Sequence, residues 1–295
     1  MVGMNAAFKA HVAAGLTTLA RCWAITRADG VQYGFTDHDL AIEFDGIVFR
    51  ADTGLTAVAL QQSTGLSVDN SEAIGGLSEA AVREADIEAG RFDGAEVLAW
   101  MVNWADPNVR WLQFRGSIGE LRRSGGAFQA ELRGLTEALN RPLGRVYQKP
   151  CSAVLGDSSC QFALSDPGYS ETVVVASVDG AQVFSWPNLN EFEPGWFARG
   201  RLVVVDGDAA GLWGQIKRDR FVDGVRMVEL WEPVRGAVAV GDMVRLEAGC
   251  DKRMETCRLK FNNFINFQGF PDIPGEDWMM AVAKRSGTNS GGSRR

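Results

Sequence analysis

Cys151-Ser-Ala-Val-Leu-Gly-Asp-Ser-Ser-Cys160 and Cys250-Asp-Lys-Arg-Met-Glu-Thr-Cys257 hold four of the chain's five cysteines. Residues 161–249, which lie between these two short brackets, are rich in strand-forming and turn-forming residues. Two close pairs of cysteines separated by a β-rich stretch form the pattern of one four-thiolate site assembled across a folded domain. The brackets also divide the chain. The segment before Cys151 reads as one domain, the enclosed stretch as a second, and the segment after Cys257 as a distinctive aromatic tail.

Between the brackets, Thr172–Val178, Gln182–Trp186, Phe197–Val205, Trp213–Arg218, Val225–Trp231 and Met243–Glu247 read as about six short, evenly spaced strands. Gly-rich turns such as Asp179-Gly180 separate them, and the spacing predicts a small closed or nearly closed barrel. The N-terminal half opens with helical apolar spacing over Asn5–Ala20. Two hairpins follow, marked by Asp29-Gly30 and Asp45-Gly46. Ser78–Gly90 predicts the clearest helix, with Ser78 as cap and Gly90 as stop. Strands over 95–104, 109–116, 117–122 and 127–133 and a short helix over 135–140 complete an antiparallel half. The fold class is thus mainly β: two β-rich domains, sheet- or barrel-like, with a few short helices. The expected boundaries are 1–149 for the N-terminal domain with one packed helix, 150–275 for the barrel-like domain with the four cysteines, and 276–295 for a flexible Gly/Ser-rich end.

At 295 residues the chain can bury two ordinary cores, and 46% hydrophobic with 23% charged residues is usual for a globular protein. No apolar run reaches the length of a membrane span. The first residues lack the basic start and apolar core of a signal peptide, so a cytoplasmic origin is expected. A net charge of −7 argues against a nucleic-acid grip, which needs clustered Lys and Arg. Only two histidines exist, His11 and His38. That inventory leaves little room for histidine metal sites or Ser–His–Asp catalysis.

Three chemistries compete for the four cysteines. A reducing compartment disfavours two disulfides. Structural zinc is chemically sound, but its loops are usually shorter than these brackets. An iron–sulfur cluster also takes four thiolates, and the wide loops favour it. Cys22, beside Trp23 in a strand, reads as a buried apolar thiol. Asp37-His38-Asp39 reads as a polar loop without further ligands. Trp104 and Trp111, at strand spacing in apolar runs, read as core.

Two segments carry a resemblance: Arg145-Val-Tyr-Gln-Lys-Pro-Cys running on to Cys160, and Ala248-Gly-Cys running through Cys257-Arg-Leu-Lys-Phe-Asn-Asn-Phe-Ile-Asn-Phe-Gln-Gly-Phe-Pro271. Asp86-Ile-Glu-Ala-Gly-Arg-Phe-Asp-Gly-Ala and Val102-Asn-Trp-Ala-Asp add to it. Together they resemble a family of phage and prophage tail proteins, most of all the hub (baseplate) proteins of gene transfer agents. The resemblance implies a structural ring component at the tail tip of a virion-like particle, assembled in the bacterial cytoplasm. It implies a homotrimer between a distal tail protein and a central tail-tip or fibre protein, with DNA passing through the lumen without specific binding. It further implies a 4Fe-4S cluster on Cys151, Cys160, Cys250 and Cys257, zinc being the alternative, and no catalytic residues. The other function classes are a tail-tip enzyme and a receptor- or sugar-binding module. The second would use Phe264, Phe267 and Phe270 if they are exposed.

Overall fold

The computed structural model describes residues 4–15, 17–51, 55–56, 70–75, 83–124, 127–135 and 144–274. The chain forms two compact units, Met1–Pro142 and Leu143–Arg295.

In the first unit, α1 (Ala6–Ala13) starts at Asn5, whose side chain accepts the Phe8 N–H at 2.7 Å. Such a cap satisfies an amide the helix cannot. β1 (Leu19–Thr26) and β2 (Gln32–Thr36) form the first predicted hairpin, and β3 (Ile42–Phe44) and β4 (Ile47–Arg50) the second. At the second turn Asp45 and Gly46 both take positive φ, 51° and 75°, the geometry that two-residue hairpins require. β5 (Leu55–Thr56), β6 (Asn70–Gly75), β7 (Glu96–Asn103), β8 (Arg110–Ser124) and β9 (Ala127–Gly134) complete a sheet ordered β3-β4-β2-β1-β7-β8-β9-β6-β5.

Three expectations change here. The half is not purely antiparallel, because β4 runs parallel to β2. Gly34 permits that approach, since a Cβ there would stand 2.5 Å from the Val48 carbonyl oxygen. The strands expected at 109–116 and 117–122 are one strand, β8, whose pairing with β9 shifts register between Ile118 and Leu121. A bulge of this kind keeps one strand going where the sequence pattern slips. Of the long predicted helix the structure shows α2 (Glu84–Glu88), closed by Gly90 at φ 71°. Ser78, residues 136–140 and the end 276–295 lie outside the described residues.

β1 sends alternate residues to opposite faces, and both faces are covered. Trp23 and Ile25 join Phe35, Phe92, Val97, Ile118 and Leu132 on one side. Cys22 and Ala24 join Phe44, Phe49, Trp100 and Val102 on the other. Trp100 is therefore a core tryptophan. Trp104, expected in the core, is 43% exposed with the His38 ring 5.0 Å away, because β7 ends one residue before it.

The second unit contains β10 (Ser170–Val174), β11 (Ser177–Asp179), β12 (Val183–Trp186), β13 (Arg201–Val204), β14 (Trp213–Val222), β15 (Val225–Leu230) and β16 (Met243–Glu247). This is one strand more than the sequence suggested, in the order β10-β16-β13-β14-β15-β12-β11. The two edge strands are consecutive in the chain, separated only by Val175 and Ala176. The chain thus passes directly from one edge of the sheet to the other, and the sheet curls into a half-barrel. The Trp186 indole N–H ties the corner by donating to the Val174 carbonyl at 2.8 Å. Inside the curl Phe184, Phe197, Leu202, Val204, Ile216, Val228, Leu230, Val244 and Leu246 are fully buried. At about 1.5–3 kcal/mol for each large side chain, this core is the unit's main source of stability.

One ionic element lies within it. Arg226 and Asp219 form an ion pair whose side chains are both completely buried. Arg226 Nε donates to Asp219 Oδ1 at 2.8 Å, Nη1 to the Phe192 carbonyl at 2.9 Å and Nη2 to the Glu193 carbonyl at 3.0 Å. The guanidinium lies against the rings of Phe197 and Phe221. Asp219 also accepts the Phe197 N–H at 2.9 Å. The pair therefore pins the 189–197 loop, which meets the second cysteine bracket.

Candidate metal centre

The pairing of β10 with β16 explains how distant cysteines meet. The ladder is antiparallel, with Ser170 opposite Glu247, so the start of β10 and the end of β16 share one end of the sheet. The chain entering β10 carries the first bracket and the chain leaving β16 carries the second. The Ala248 N–H donates to the Tyr169 carbonyl at 2.7 Å, and the Cys151 N–H to the Lys252 carbonyl at 2.8 Å.

The first bracket has no regular secondary structure and is held by a carboxylate. Asp157 accepts the N–H groups of Cys160 at 2.7 Å, Val154 at 2.8 Å and Ser159 at 2.9 Å. These bonds, that from Cys160 foremost, hold its carboxyl below the usual aspartate range. The second bracket enters through Gly249, where a Cβ would lie 1.7 Å from the Ala198 carbonyl oxygen. It then forms the short helix α3 (Met254–Leu259), which buries Cys257. Asn262 at φ 46° reverses the chain after α3, a conformation asparagine tolerates better than most residues. A 3-10 turn, Phe264–Asn266, brings the following residues back over the brackets.

All four bracket cysteines line one cavity, together with Leu155, Asn263, Phe261 and Phe267. Two of the sulfurs receive N–H donors. The Gln268 amide points to Cys151 Sγ at 3.4 Å and Asn263 Nδ2 to Cys160 Sγ at 3.5 Å. The Lys252 backbone amide also favours negative charge on Cys250. The Cys257 thiol instead donates to the Asn263 carbonyl at 3.3 Å. Burial pushes the Cys257 thiol up to about 11, helped by Cys250, Cys151 and Cys160 nearby, and burial also raises Cys250. Both are therefore thiols at neutral pH unless a cation displaces their protons.

Positive charge stands close by. Lys252 and Arg253 line the cavity. Lys260 donates to the Trp196 carbonyl at 2.6 Å and the Gly249 carbonyl at 3.0 Å, with its Nζ 4.2 Å from the Trp196 ring centroid. Its burial lowers it to about 8, against the opposing influence of Cys250. Among the described residues, no three His, Cys, Asp or Glu side chains are arranged to hold a single metal ion.

The other candidates stand apart from this chemistry. Cys22 is fully buried against Thr36. His38 Nδ1 accepts the Leu40 N–H at 3.0 Å, and the Asp37 carboxylate accepts the Arg21 N–H at 2.6 Å, so the Asp37-His38-Asp39 stretch organises a turn. Phe267 lines the cavity, Phe270 packs on Tyr147, and Phe264 is half exposed. The sequence reading missed Asn263, Asp157 and Lys260. Their only trace is a polar residue inside each bracket or just beyond it.

The family model described as "Baseplate hub protein, N-terminal attachment domain" matches residues 5–163, which include the first bracket. A second, described as "Phage conserved hypothetical protein BR0599", matches residues 195–277, which include the other. The first match covers more than half of the chain, and the chain belongs to the baseplate hub family of phage-like tails. It is also similar to a chain in the solved structure "Virion of native gene transfer agent (GTA) particle". The identity is 55% over 98% of this chain and 99% of that one, with a TM-score of 0.92. No curated protein matches significantly.

Proposed function

We propose that this protein is the structural baseplate hub of a gene-transfer-agent tail, and that Cys151, Cys160, Cys250 and Cys257 hold an iron–sulfur cluster in it. The hub role rests on the near-complete match to a chain of an assembled particle at 55% identity. In that role the chain forms a ring, a homotrimer, between the distal tail protein and the central tip protein. DNA passes through its lumen without specific contacts, as its −7 charge favours.

The observation that carries the cluster is the set of four thiols around one cavity with N–H donors aimed at two of them. Such donors are the usual surroundings of cluster sulfurs. The wide cysteine brackets suit a multi-iron body better than the short loops of structural zinc. When bound, the cluster supplies a covalent cross-link between the brackets. Asp157 and the Gly249 approach hold the ligand loops, while Phe261 and Phe267 limit water access.

The same features support a scaffold over an enzyme. A nucleophilic cysteine needs a lowered pKa, and here burial raises Cys250 and Cys257.

Anaerobic purification with a visible spectrum and with iron, sulfide and zinc analysis tests the cluster. Iron and sulfide in equal amounts are expected; stoichiometric zinc without iron overturns it. Cys250→Ser is expected to abolish assembled, DNA-delivering particles. Intact delivery by that variant refutes the structural role of the site.

A further inference from the structure

Asn263 ties the two cysteine brackets together beside the direct backbone bond from Cys151 to Lys252. It is 8% exposed. Its Nδ2 donates to the Cys160 carbonyl at 2.7 Å and reaches Cys160 Sγ at 3.5 Å. Its backbone N–H donates to the Cys257 carbonyl at 3.0 Å, and its carbonyl accepts the Cys257 thiol at 3.3 Å. Its Oδ1 accepts from Asn266 Nδ2 at 2.8 Å, which fixes the amide so that the NH₂ end faces Cys160. One residue therefore contacts a cysteine of each bracket, and its side chain is oriented by a further hydrogen bond.

We infer that Asn263 is the positioning residue of the four-cysteine centre, clamping Cys160 to the second bracket and tuning the centre through its N–H···S contact. The inference rests on the iron–sulfur reading above. Its physical basis is the side chain's double role. The bond to the Cys160 carbonyl fixes the backbone of the first bracket. The contact to the sulfur stabilises negative charge there, which grows when a cluster is reduced. Hydrogen bonds to ligand sulfurs are among the controls on cluster potential, and groups around the ligands also govern how firmly metal is held. A purely structural asparagine would need only the first bond.

The segment's backbone anchors do not depend on the side chain. The Asn263 N–H to Cys257, the Phe267 N–H to Phe264 and the Gln268 N–H to Cys151 remain after substitution. Asn263→Ala thus removes the clamp without removing the turn. Asn263→Asp keeps the shape but sets an acceptor against the Cys160 carbonyl and sulfur, so it is expected to act more strongly.

The test compares wild type, Asn263→Ala and Asn263→Asp as anaerobically purified full-length chain, with Ile265→Ala as a control. Ile265 lies in the same 3-10 turn and is 91% exposed. The readouts are iron and sulfide content, the rate of iron loss to a chelator, and the midpoint potential from a dithionite titration followed by EPR. Asn263→Ala is expected to lose iron about tenfold faster. Its one-electron equilibrium should shift about tenfold toward the oxidised form, a fall of ~59 mV. Asn263→Asp should be largely iron-free, and Ile265→Ala close to wild type. Iron loss and potential both unchanged in Asn263→Ala overturn the inference while leaving the cluster in place. Faster loss with an unchanged potential also overturns it, reducing Asn263 to a packing residue. A wild type without iron overturns the cluster reading itself.

Discussion

Replacing Asp219 with asparagine removes one charge and almost no volume, and it isolates a single term of the second unit's stability. Arg226 is completely buried, and Asp219 is the carboxylate with which it is paired. Asparagine leaves a guanidinium in the core with neutral partners only. Breaking a buried pair from one side typically costs about 3–5 kcal/mol. With a urea m-value of about 2 kcal/mol/M, the unfolding midpoint of this unit falls by roughly 2 M. The assay is urea unfolding of the full chain, with hydrogen exchange over residues 201–247 to assign the transition. A midpoint shift below about 0.5 M refutes the reasoning. A second variant separates charge balance from loop pinning. Asp219→Leu with Arg226→Met removes both charges, and apolar replacement of buried pairs is often neutral. Here it strips partners from the Phe192 and Glu193 carbonyls and the Phe197 amide. Each orphaned group costs about 1–3 kcal/mol, so the double variant should remain destabilised. Full recovery would show that the pair pins nothing.

Two single residues carry further expected outcomes. Gly249→Ala places a Cβ 1.7 Å from the Ala198 carbonyl oxygen, backbone that cannot swing aside. The second unit should lose more than about 3 kcal/mol or fail to fold, judged by thermal unfolding, and a fall of under about 1 kcal/mol contradicts the close approach. Cys22 sets a pH dependence in the first unit. Burial pushes its thiol from 9.0 up to about 11, opposed by the Thr36 hydrogen bond. The folded state holds this proton more tightly than the unfolded chain, so stability is intact below pH 9 and declines as pH rises toward 11. The slope is at most about 1.4 kcal/mol per pH unit. Urea midpoints between about pH 8 and 11 should fall in the wild type and fall less in Cys22→Ala; identical slopes would remove Cys22 as the cause.

How far the sequence reached depended on the range of the interactions involved. The hairpin turns were legible because Asp45-Gly46 encodes its own left-handed φ angles locally. The half-barrel was legible as a count of short strands, yet its curl was not. The corner between β10 and β11 is tied by an indole bond from Trp186 to the Val174 carbonyl, which has no local signature. Trp104 was misread because strand periodicity cannot say where a strand ends, and one residue past β7 the environment changes. The pairing of β2 with β4 in parallel needed Gly34, which reads equally well as a turn or a bulge. At the candidate centre the cysteines announced themselves by spacing. Asn263 and Lys260 did not, because hydrogen bonds from an amide or an ammonium are set by three-dimensional approach and leave no spacing behind.

The same topology bears on what a cluster would contribute to stability. Because β10 pairs with β16, the brackets already meet in the folded chain without any cross-link. The entropy of closing the chain between them is met by the strand ladder and the core beneath it. A bound cluster then stabilises through its preference for the folded state over the unfolded one. Its local effect falls on residues 144–169 and 248–274, which hold no strand and only α3 and a 3-10 turn. These segments are held by turn bonds and by side chains such as Asp157 and Asn263, without a strand ladder of their own, and such segments open before a sheet does. A cluster would add its cross-link there, steadying the exposed apolar side chains Tyr147, Val154, Leu259 and Ile265. Its structural value would then lie at the unit's end surface more than in the strands.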